Sequence, residues 1–214
     1  MNDIAFFYSP QTRASGVKVL LEELGASYDL NVVNTRAREQ LEPAYLAVNP
    51  LGKVPAILDR GILVTEQAAI FIHLADRFPE KGLAPGLADP NRGPYLRWMV
   101  FYGSCFEPAL VDRALKREPG SRMMSPYGDY DTVVRTVVEQ LRKGPYLLGE
   151  RFSALDILWG MALTWTTSFG LVPKGPEIAR YIEAFGRRPS VVKVTAEDAE
   201  LAARHQAGIE AAAR

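Results

Sequence analysis

The chain has 214 residues, 48% of them hydrophobic, so it can fill a packed core as one large domain or two small ones. Its 25 lysines and arginines balance its 25 aspartates and glutamates, and both signs are scattered, which argues against a clustered basic face for nucleic acid. With no apolar run near the roughly 20 residues of a membrane span, no signal-peptide pattern and one cysteine, Cys105, we expect a cytoplasmic protein without membrane contact, intrachain disulfide or multi-cysteine metal site.

The first part of the chain alternates strand and helix patterns. Ile4 to Tyr8 is a short apolar run typical of a buried strand, and the apolar residues after it recur at helical spacing up to Gly25. A second strand is predicted from Tyr28 to Val33, parallel to the first because a helix crosses over between them. The pattern then predicts a short helix over 43–48, a hairpin of 56–58 with 62–64, and a helix over 66–78.

A proline opens the third predicted strand, in the segment Asn49-Pro50-Leu51-Gly52-Lys53-Val54-Pro55. Proline has no N–H for a strand ladder, so within sheets it is confined to first positions, edges and bulges. The backbone groups of Val54 are therefore predicted to be free to pair with something outside the sheet. Because a helix is predicted to open at Glu66-Gln67, this region has the features of a receptor for a small anionic peptide.

Proline and glycine punctuate residues 81–94, which predicts a linker, and the patterns after it are helical. Ser153 and Asp156 have the spacing of a capping box at the start of one of these helices. We therefore expect a first domain over 1–80 and an all-helical domain over 95–214. The other predicted helices cover 95–116, with a kink at Pro108, and 130–143, 176–186 and 190–202.

Three of these motifs, in this order and spacing, resemble the soluble glutathione S-transferases. They are the Asn-Pro-x-Gly-x-Val-Pro segment, the acidic residue that opens the following helix, and the segment Phe152-Ser153-Ala154-Leu155-Asp156. The likeness covers nearly the whole chain and is greatest to bacterial members. It implies an α/β plus all-α fold class, with a thioredoxin-like βαβ-ββα domain followed by an all-helical C-terminal domain.

The resemblance also implies which residues bind glutathione. Val54 is expected to pair its N–H and C=O with the cysteinyl backbone, next to a cis peptide bond at Pro55. Glu66 is expected to bind the γ-glutamyl ammonium, and Gln67 the γ-glutamyl carboxylate close to a helix N-terminus. Lys53 is expected to meet the glycyl carboxylate.

Two further residues, Arg36 and Gln40, are alternative partners for the glycyl carboxylate. Glutathione is implied as a co-substrate, no metal ion is expected, and no nucleic acid is expected as a partner. Members of the family usually form two-fold dimers, so a homodimer is expected here.

The implied chemistry is activation of the glutathione thiol, because a free thiol has a pKa of about 8.5 and is mostly protonated at neutral pH. The donor in this fold lies where the first strand ends and the first helix begins. The candidates are Ser9 and Thr12, with Arg13 as a nearby cation, and Ser9 is slightly favoured over Thr12, with Tyr8 behind both. The alternative is that Ser9 and Thr12 only end the strand and cap the helix.

The second substrate is expected to be a small hydrophobic electrophile that lies between the domains. Met99, Tyr102 and Phe106 are the candidate lining residues, and the alternative is that they belong to a helix core. The predicted function is a glutathione transferase that conjugates glutathione to such electrophiles. Two alternatives stay open, namely a glutathione-dependent disulfide reductase or peroxidase and a non-catalytic interaction module that retains the fold.

Overall fold

The computed structural model describes residues 2–118 and 120–212. Over these residues the chain forms two compact units. The first unit contains the described residues up to Leu74 together with those from Arg188 onward, and the second contains Ala75–Arg187.

A four-stranded mixed sheet lies in the first unit, within the described part of the chain. Its strands are β1 (Ile4–Tyr8), β2 (Asp29–Val32), β3 (Ala56–Asp59) and β4 (Ile62–Val64), in the order β2-β1-β3-β4. Phe6 on β1 pairs with Leu30 on the parallel β2 and with Ile57 on the antiparallel β3. The central strand β1 pairs with both β2 and β3, and β4 forms a hairpin with β3. The predicted βαβ-ββα order is therefore confirmed.

The first three helices of this unit begin and end close to where their sequence patterns predict. Gly25 ends the first helix in the left-handed conformation, with a φ of 62°, as expected of a glycine after a helix. The apolar side chains of Val17, Leu20 and Leu21 are fully buried. The helices are α1 (Ala14–Leu24), α2 (Pro43–Leu46), α3 (Gln67–Arg77) and α9 (Pro189–Ala212).

The last helix, α9, packs along α1. Lys18 pairs with Glu197 at 2.7 Å, and Lys193 pairs with Glu22 at 2.7 Å. These contacts place the residues from Arg188 onward with the first unit, whereas the sequence grouped 95–214 as one helical domain. The expected domain boundaries stay a prediction. The helix also runs past its predicted end at residue 202, through an alanine-rich stretch of high helix propensity.

The second unit is helical over its described residues. The long helix predicted over 95–116 is interrupted by a π-helical segment, Tyr102–Phe106. Pro108 has no N–H, and its ring crowds the carbonyl four residues earlier, so the wider turn comes just before the proline rather than at it. The helices are α4 (Arg92–Phe101), α5 (Glu107–Ala114), α6 (Tyr130–Leu141), α7 (Ala154–Ser168) and α8 (Pro176–Gly186).

The start of α7 has the predicted capping box, in which Asp156 accepts a hydrogen bond from the Ser153 N–H at 2.9 Å. Asp156 also accepts from the Leu147 N–H and from the Tyr181 hydroxyl, both at 2.9 Å. A single buried carboxylate therefore joins α7, α8 and the segment before α7. Among the described residues, no helix combines the length and the apolar character that a membrane span requires.

Candidate functional site

The loop before Val54 is fixed by hydrogen bonds to one backbone carbonyl. The Lys53 carbonyl accepts from the Asn49 side-chain amide at 2.8 Å and from the Tyr45 hydroxyl at 2.6 Å. The Asn49 side chain also accepts from the Leu51 N–H at 3.1 Å. Since Lys53 directly precedes Val54, these contacts determine how the Val54 backbone is presented.

Gly52 is required in this loop by its backbone and by its surroundings. Its φ is +59°, and a Cβ added there would lie 2.9 Å from the Gln40 carbonyl oxygen and 3.0 Å from the Leu41 side chain. Any L side chain would therefore meet both a strained backbone and a clash with backbone. The glycine of the Asn-Pro-x-Gly motif thus serves the loop conformation.

Val54 lies outside the β3 ladder, as the proline at position 55 predicts. Pairing of β3 with β1 begins at Ala56, opposite Phe7. The Val54–Pro55 peptide bond is cis. Pro55 is buried and Val54 is half-buried. The strand thus begins beyond a residue whose backbone groups are outside the sheet pairing.

The start of α3 carries the two residues predicted to bind the γ-glutamyl group. Glu66 is exposed and has a φ of 60°, in the left-handed region. Gln67 is half-buried, and its side-chain amide donates a hydrogen bond to the Arg13 carbonyl at 3.0 Å. The structure therefore joins the start of α3 to residues 9–13, the segment between β1 and α1 that we call the α1 turn.

The two hydroxyl candidates in the α1 turn are both engaged in hydrogen bonds. The Ser9 hydroxyl lies 2.9 Å from the Thr35 hydroxyl, and either can be the donor. The Thr12 hydroxyl donates to the Ser9 carbonyl at 2.7 Å and accepts from the Ala14 N–H at 3.1 Å. Thr12 therefore satisfies a backbone N–H at the start of α1, as a capping residue does. Ser9 is buried, whereas Thr12 is half-buried.

A carboxylate from α9 also contacts the α1 turn. Asp198 accepts a hydrogen bond from the Gln11 N–H at 3.2 Å and another from the Ser15 hydroxyl. Burial raises the pKa of Asp198 to about 6, although the hydrogen bond from Gln11 acts in the opposite direction. Sequence reasoning missed this residue, because 187 positions separate it from Gln11 and no local pattern links the two.

The cationic candidates are placed differently from one another. Lys53 and Arg13 are both exposed. The Arg36 guanidinium donates to the side-chain oxygens of Gln11 and Gln206, each at 3.0 Å. Arg36 is therefore held beside the α1 turn by two amides.

The three candidates for the second substrate lie in the core of the second unit. Met99, Tyr102 and Phe106 are all buried. The rings of Tyr102 and Phe106 lie 5.7 Å and 4.8 Å from the Trp159 ring. A buried side chain offers a ligand little surface, and their assignment to substrate binding stays a prediction. Over the described residues, no cluster of three or more His, Cys, Asp or Glu side chains could hold a metal ion.

The family model described as "Glutathione S-transferase, N-terminal domain" matches residues 5–76. Glutathione S-transferase GstA of Escherichia coli O157:H7 is 28% identical over 189 residues, which cover 86% of this chain and 94% of that relative. The match therefore extends well beyond the residues of the family model.

Two solved structures are similar along most of the chain. A glutathione transferase from Methylococcus capsulatus str. Bath has 27% identity and a TM-score of 0.77, over 92% of this chain and 98% of that one. A transferase homologue from Sulfitobacter, solved with bound glutathione, has 26% identity and a TM-score of 0.73, over 92% and 99%. This likeness agrees with the predicted fold class.

Proposed function

Because this chain belongs to the glutathione S-transferase family, we propose that it is an enzyme that binds glutathione and activates the thiol for attack on small hydrophobic electrophiles. The main support for this proposal is the position of Val54, which lies outside the β3 ladder and directly follows the Lys53 carbonyl that Asn49 holds in place. The glutathione bound to the Sulfitobacter neighbour supports this ligand.

Binding uses the backbone of Val54 as an added strand. Its N–H and C=O pair with the cysteinyl residue of glutathione, whose main chain supplies the affinity of such a pairing. The exposed Glu66 carboxylate takes the γ-glutamyl ammonium. The γ-glutamyl carboxylate lies at Gln67, where the start of α3 contributes about 0.3–1 kcal/mol through the helix dipole. Lys53 takes the glycyl carboxylate.

Thiol activation requires a hydrogen-bond donor to the sulfur. Lowering the thiol pKa from about 8.5 to about 6.5 corresponds to roughly 2.7 kcal/mol, which one charge-assisted hydrogen bond of about 1.5–3 kcal/mol can supply. The Thr12 hydrogen is given to the Ser9 carbonyl. When Thr35 donates to Ser9, the Ser9 hydrogen is available to the thiolate, which favours Ser9, whereas the greater exposure of Thr12 favours Thr12. Arg13 and the start of α1 add positive potential.

The reaction that follows is nucleophilic substitution or addition. The thiol proton leaves to solvent, and the thiolate forms a C–S bond with the electrophilic carbon. In a substitution the leaving group departs with the bonding electron pair, and in an addition the π bond of the acceptor breaks and its far atom takes a proton from solvent. Catalysis then consists of holding the anion in place rather than of proton abstraction by a side chain. The electrophile is small and hydrophobic in this proposal, and Met99, Tyr102 and Phe106 stay its proposed contacts.

The ultraviolet thiolate absorbance of bound glutathione against pH tests the proposal. We expect a midpoint about two units below that of free glutathione. A midpoint equal to that of free glutathione contradicts thiol activation, and calorimetry without binding heat at millimolar glutathione contradicts the binding site. S9A should raise the midpoint if Ser9 is the donor, with T12A as its matched comparison.

A mixed-disulfide reductase is less well supported, because the single cysteine, Cys105, belongs to the π-helical segment of the second unit. Conjugation of a chloronitrobenzene compared with disulfide exchange distinguishes these two activities.

A homodimer is part of the proposal, and light scattering that gives the mass of one chain contradicts it. So is a cytoplasmic location, where the glutathione pool is reduced, and cell fractionation tests it.

A further inference from the structure

Two sets of polar contacts from α9 converge on Gln11 in the α1 turn. Asp198 accepts from the Gln11 N–H at 3.2 Å and also accepts from the Ser15 hydroxyl on the first turn of α1. Gln206 accepts from Arg36 at 3.0 Å, and Arg36 in turn donates to the Gln11 side chain at 3.0 Å. The backbone and the side chain of Gln11 are thus both tied to the same helix.

The backbone of Gln11 needs such support. Its φ is 55°, in the left-handed region that costs energy for a residue with a Cβ. Conformations of this kind persist where the surrounding structure imposes them, and they are enriched at functional sites. The first N–H of α1, that of Ala14, already has the Thr12 hydroxyl as its acceptor, so Asp198 is not needed as a cap for this N–H. Because Asp198 accepts instead from the Gln11 N–H, its contact acts on the conformation of the turn.

Asp198 is held in an environment that is unfavourable for its own charge. It is 8% exposed, and within the described residues its oxygen Oδ1 is buried without a hydrogen-bond partner. A buried carboxylate with one oxygen that accepts no hydrogen bond costs stability, and such unfavourable buried groups are expected mainly at functional sites. Burial accordingly raises its pKa to about 6, so the group is an anion at neutral pH and can accept both hydrogen bonds.

We propose that Asp198 is a positioning residue of the glutathione site, which holds Gln11 and thereby sets the α1 turn to meet the glutathione sulfur. The helix α9 is then part of the site although Asp198 itself touches no ligand. The ligand named here rests on the proposed function, whereas the contact between Asp198 and the turn does not.

Three variants separate this role from general stability. D198A removes the acceptor, and D198N retains an oxygen that can accept from Gln11 and Ser15. K193A is the matched control, because it breaks the 2.7 Å ion pair between α9 and Glu22, at the opposite end of α1 from the turn. Each variant is made in the full chain.

Amide hydrogen exchange measures the turn without any ligand. We expect D198A to accelerate exchange in a peptide spanning residues 8–14 by about tenfold, because the Gln11 amide loses its acceptor. D198N should stay within about twofold of wild type, and K193A should leave this peptide unchanged. Equal exchange in D198A and K193A overturns the proposal.

The thiolate absorbance of bound glutathione measures the consequence for the site. D198A should raise the midpoint by about 0.5–1 unit and weaken glutathione binding about five- to twentyfold, because a displaced turn presents its donor poorly. D198N should restore most of both losses. Faster exchange with an unchanged midpoint and affinity in D198A overturns the role in the site.

A wild-type protein that binds no glutathione overturns the proposed function, and the exchange data then report separately whether Asp198 holds the turn. Should D198A fail to fold, Q206A decides, since Gln206 is exposed and its loss releases the second tie. We expect Q206A to accelerate exchange of the same peptide by about two- to fivefold. If this peptide exchanges in Q206A at the wild-type rate, α9 does not stabilise the α1 turn and the proposal is overturned.

Discussion

The side-chain amide of Gln67 donates a hydrogen bond to the backbone carbonyl of Arg13 at 3.0 Å. This contact joins the first residue of α3 to the α1 turn across 54 positions of sequence. The proposed receptor for the γ-glutamyl group and the proposed thiol site are therefore mechanically connected. A change at Gln67 should consequently alter both the affinity for glutathione and the pKa of the bound thiol.

Replacement of Gln67 tests this connection. Q67A should weaken glutathione binding by about 1–2 kcal/mol, since it removes a ligand contact and releases the Arg13 carbonyl. Q140A is a matched control, because the Gln140 amide also donates to a backbone carbonyl, that of Leu147, at 2.7 Å. Calorimetry with glutathione measures both. Equal affinity in Q67A and Q140A contradicts a role for Gln67 in the site.

The Asn49 side chain should matter for affinity as well as for folding. N49A removes a donor from the Lys53 carbonyl and an acceptor from the Leu51 N–H, so the free energy of unfolding should fall by about 1–3 kcal/mol. Glutathione affinity should fall about fivefold, because the adjoining Val54 backbone is less well fixed. Urea unfolding and calorimetry measure the two effects.

The comparison for N49A is Y45F, which removes the other donor to the same carbonyl and leaves the Asn49 contacts in place. Its affinity loss should be smaller, since Asn49 still fixes the carbonyl. If N49A binds glutathione as wild type does, the loop does not position Val54.

The fold could be predicted from sequence where the signals are local. The βαβ order, the capping box at Ser153 and the departure from strand pairing before Pro55 each depend on residues that lie close together in the chain. The π-helical segment over Tyr102–Phe106 was predicted only as a kink, because the effect of Pro108 on the preceding turn depends on how the helix is packed.

The candidate site could be predicted in part for the same reason. Val54 and Glu66 belong to short motifs, whereas the tie between Asp198 and Gln11 arises only when α9 folds back onto α1. The choice between Ser9 and Thr12 stays a prediction, because both are small hydroxyl residues at the end of a strand. Ser9 contacts the Thr35 hydroxyl and Thr12 donates to the Ser9 carbonyl, and neither contact can be read from the sequence.

The buried Asp156 should contribute more to stability than the half-buried cap of α6. D156A leaves four donors without their acceptor, two from Ser153 and one each from Leu147 and Tyr181, and should lower the free energy of unfolding by about 3–5 kcal/mol. Asp129 caps α6 by accepting from the Thr132 N–H at 2.7 Å, so D129A is the comparison and should cost less. Urea unfolding measures both, and equal costs contradict the prediction.

The raised pKa of Asp198 makes stability depend on pH in a defined direction. Its value in the folded protein is about 6, against 3.8 as the ordinary value of the carboxyl group. Between these values the folded state holds a proton that the unfolded state has released. Its contribution is therefore fully present below pH 4 and is lost as pH rises through 6.

The variant D198N isolates this contribution. The difference between the two pKa values corresponds to about 3 kcal/mol, and solvent screening reduces the expected effect to about 1–2 kcal/mol. The unfolding free energy of D198N relative to wild type should therefore rise by that amount between pH 4 and pH 7. The neighbouring charged groups, Lys18 and Glu197, pair with each other and are present in both proteins.

Urea unfolding at several pH values measures the difference, with K193A as a control that retains Asp198. Parallel pH profiles for wild type and D198N contradict the raised pKa. A difference that grows in the opposite direction shows instead that the folded protein stabilises the Asp198 anion, and the half-satisfied carboxylate then costs the protein nothing.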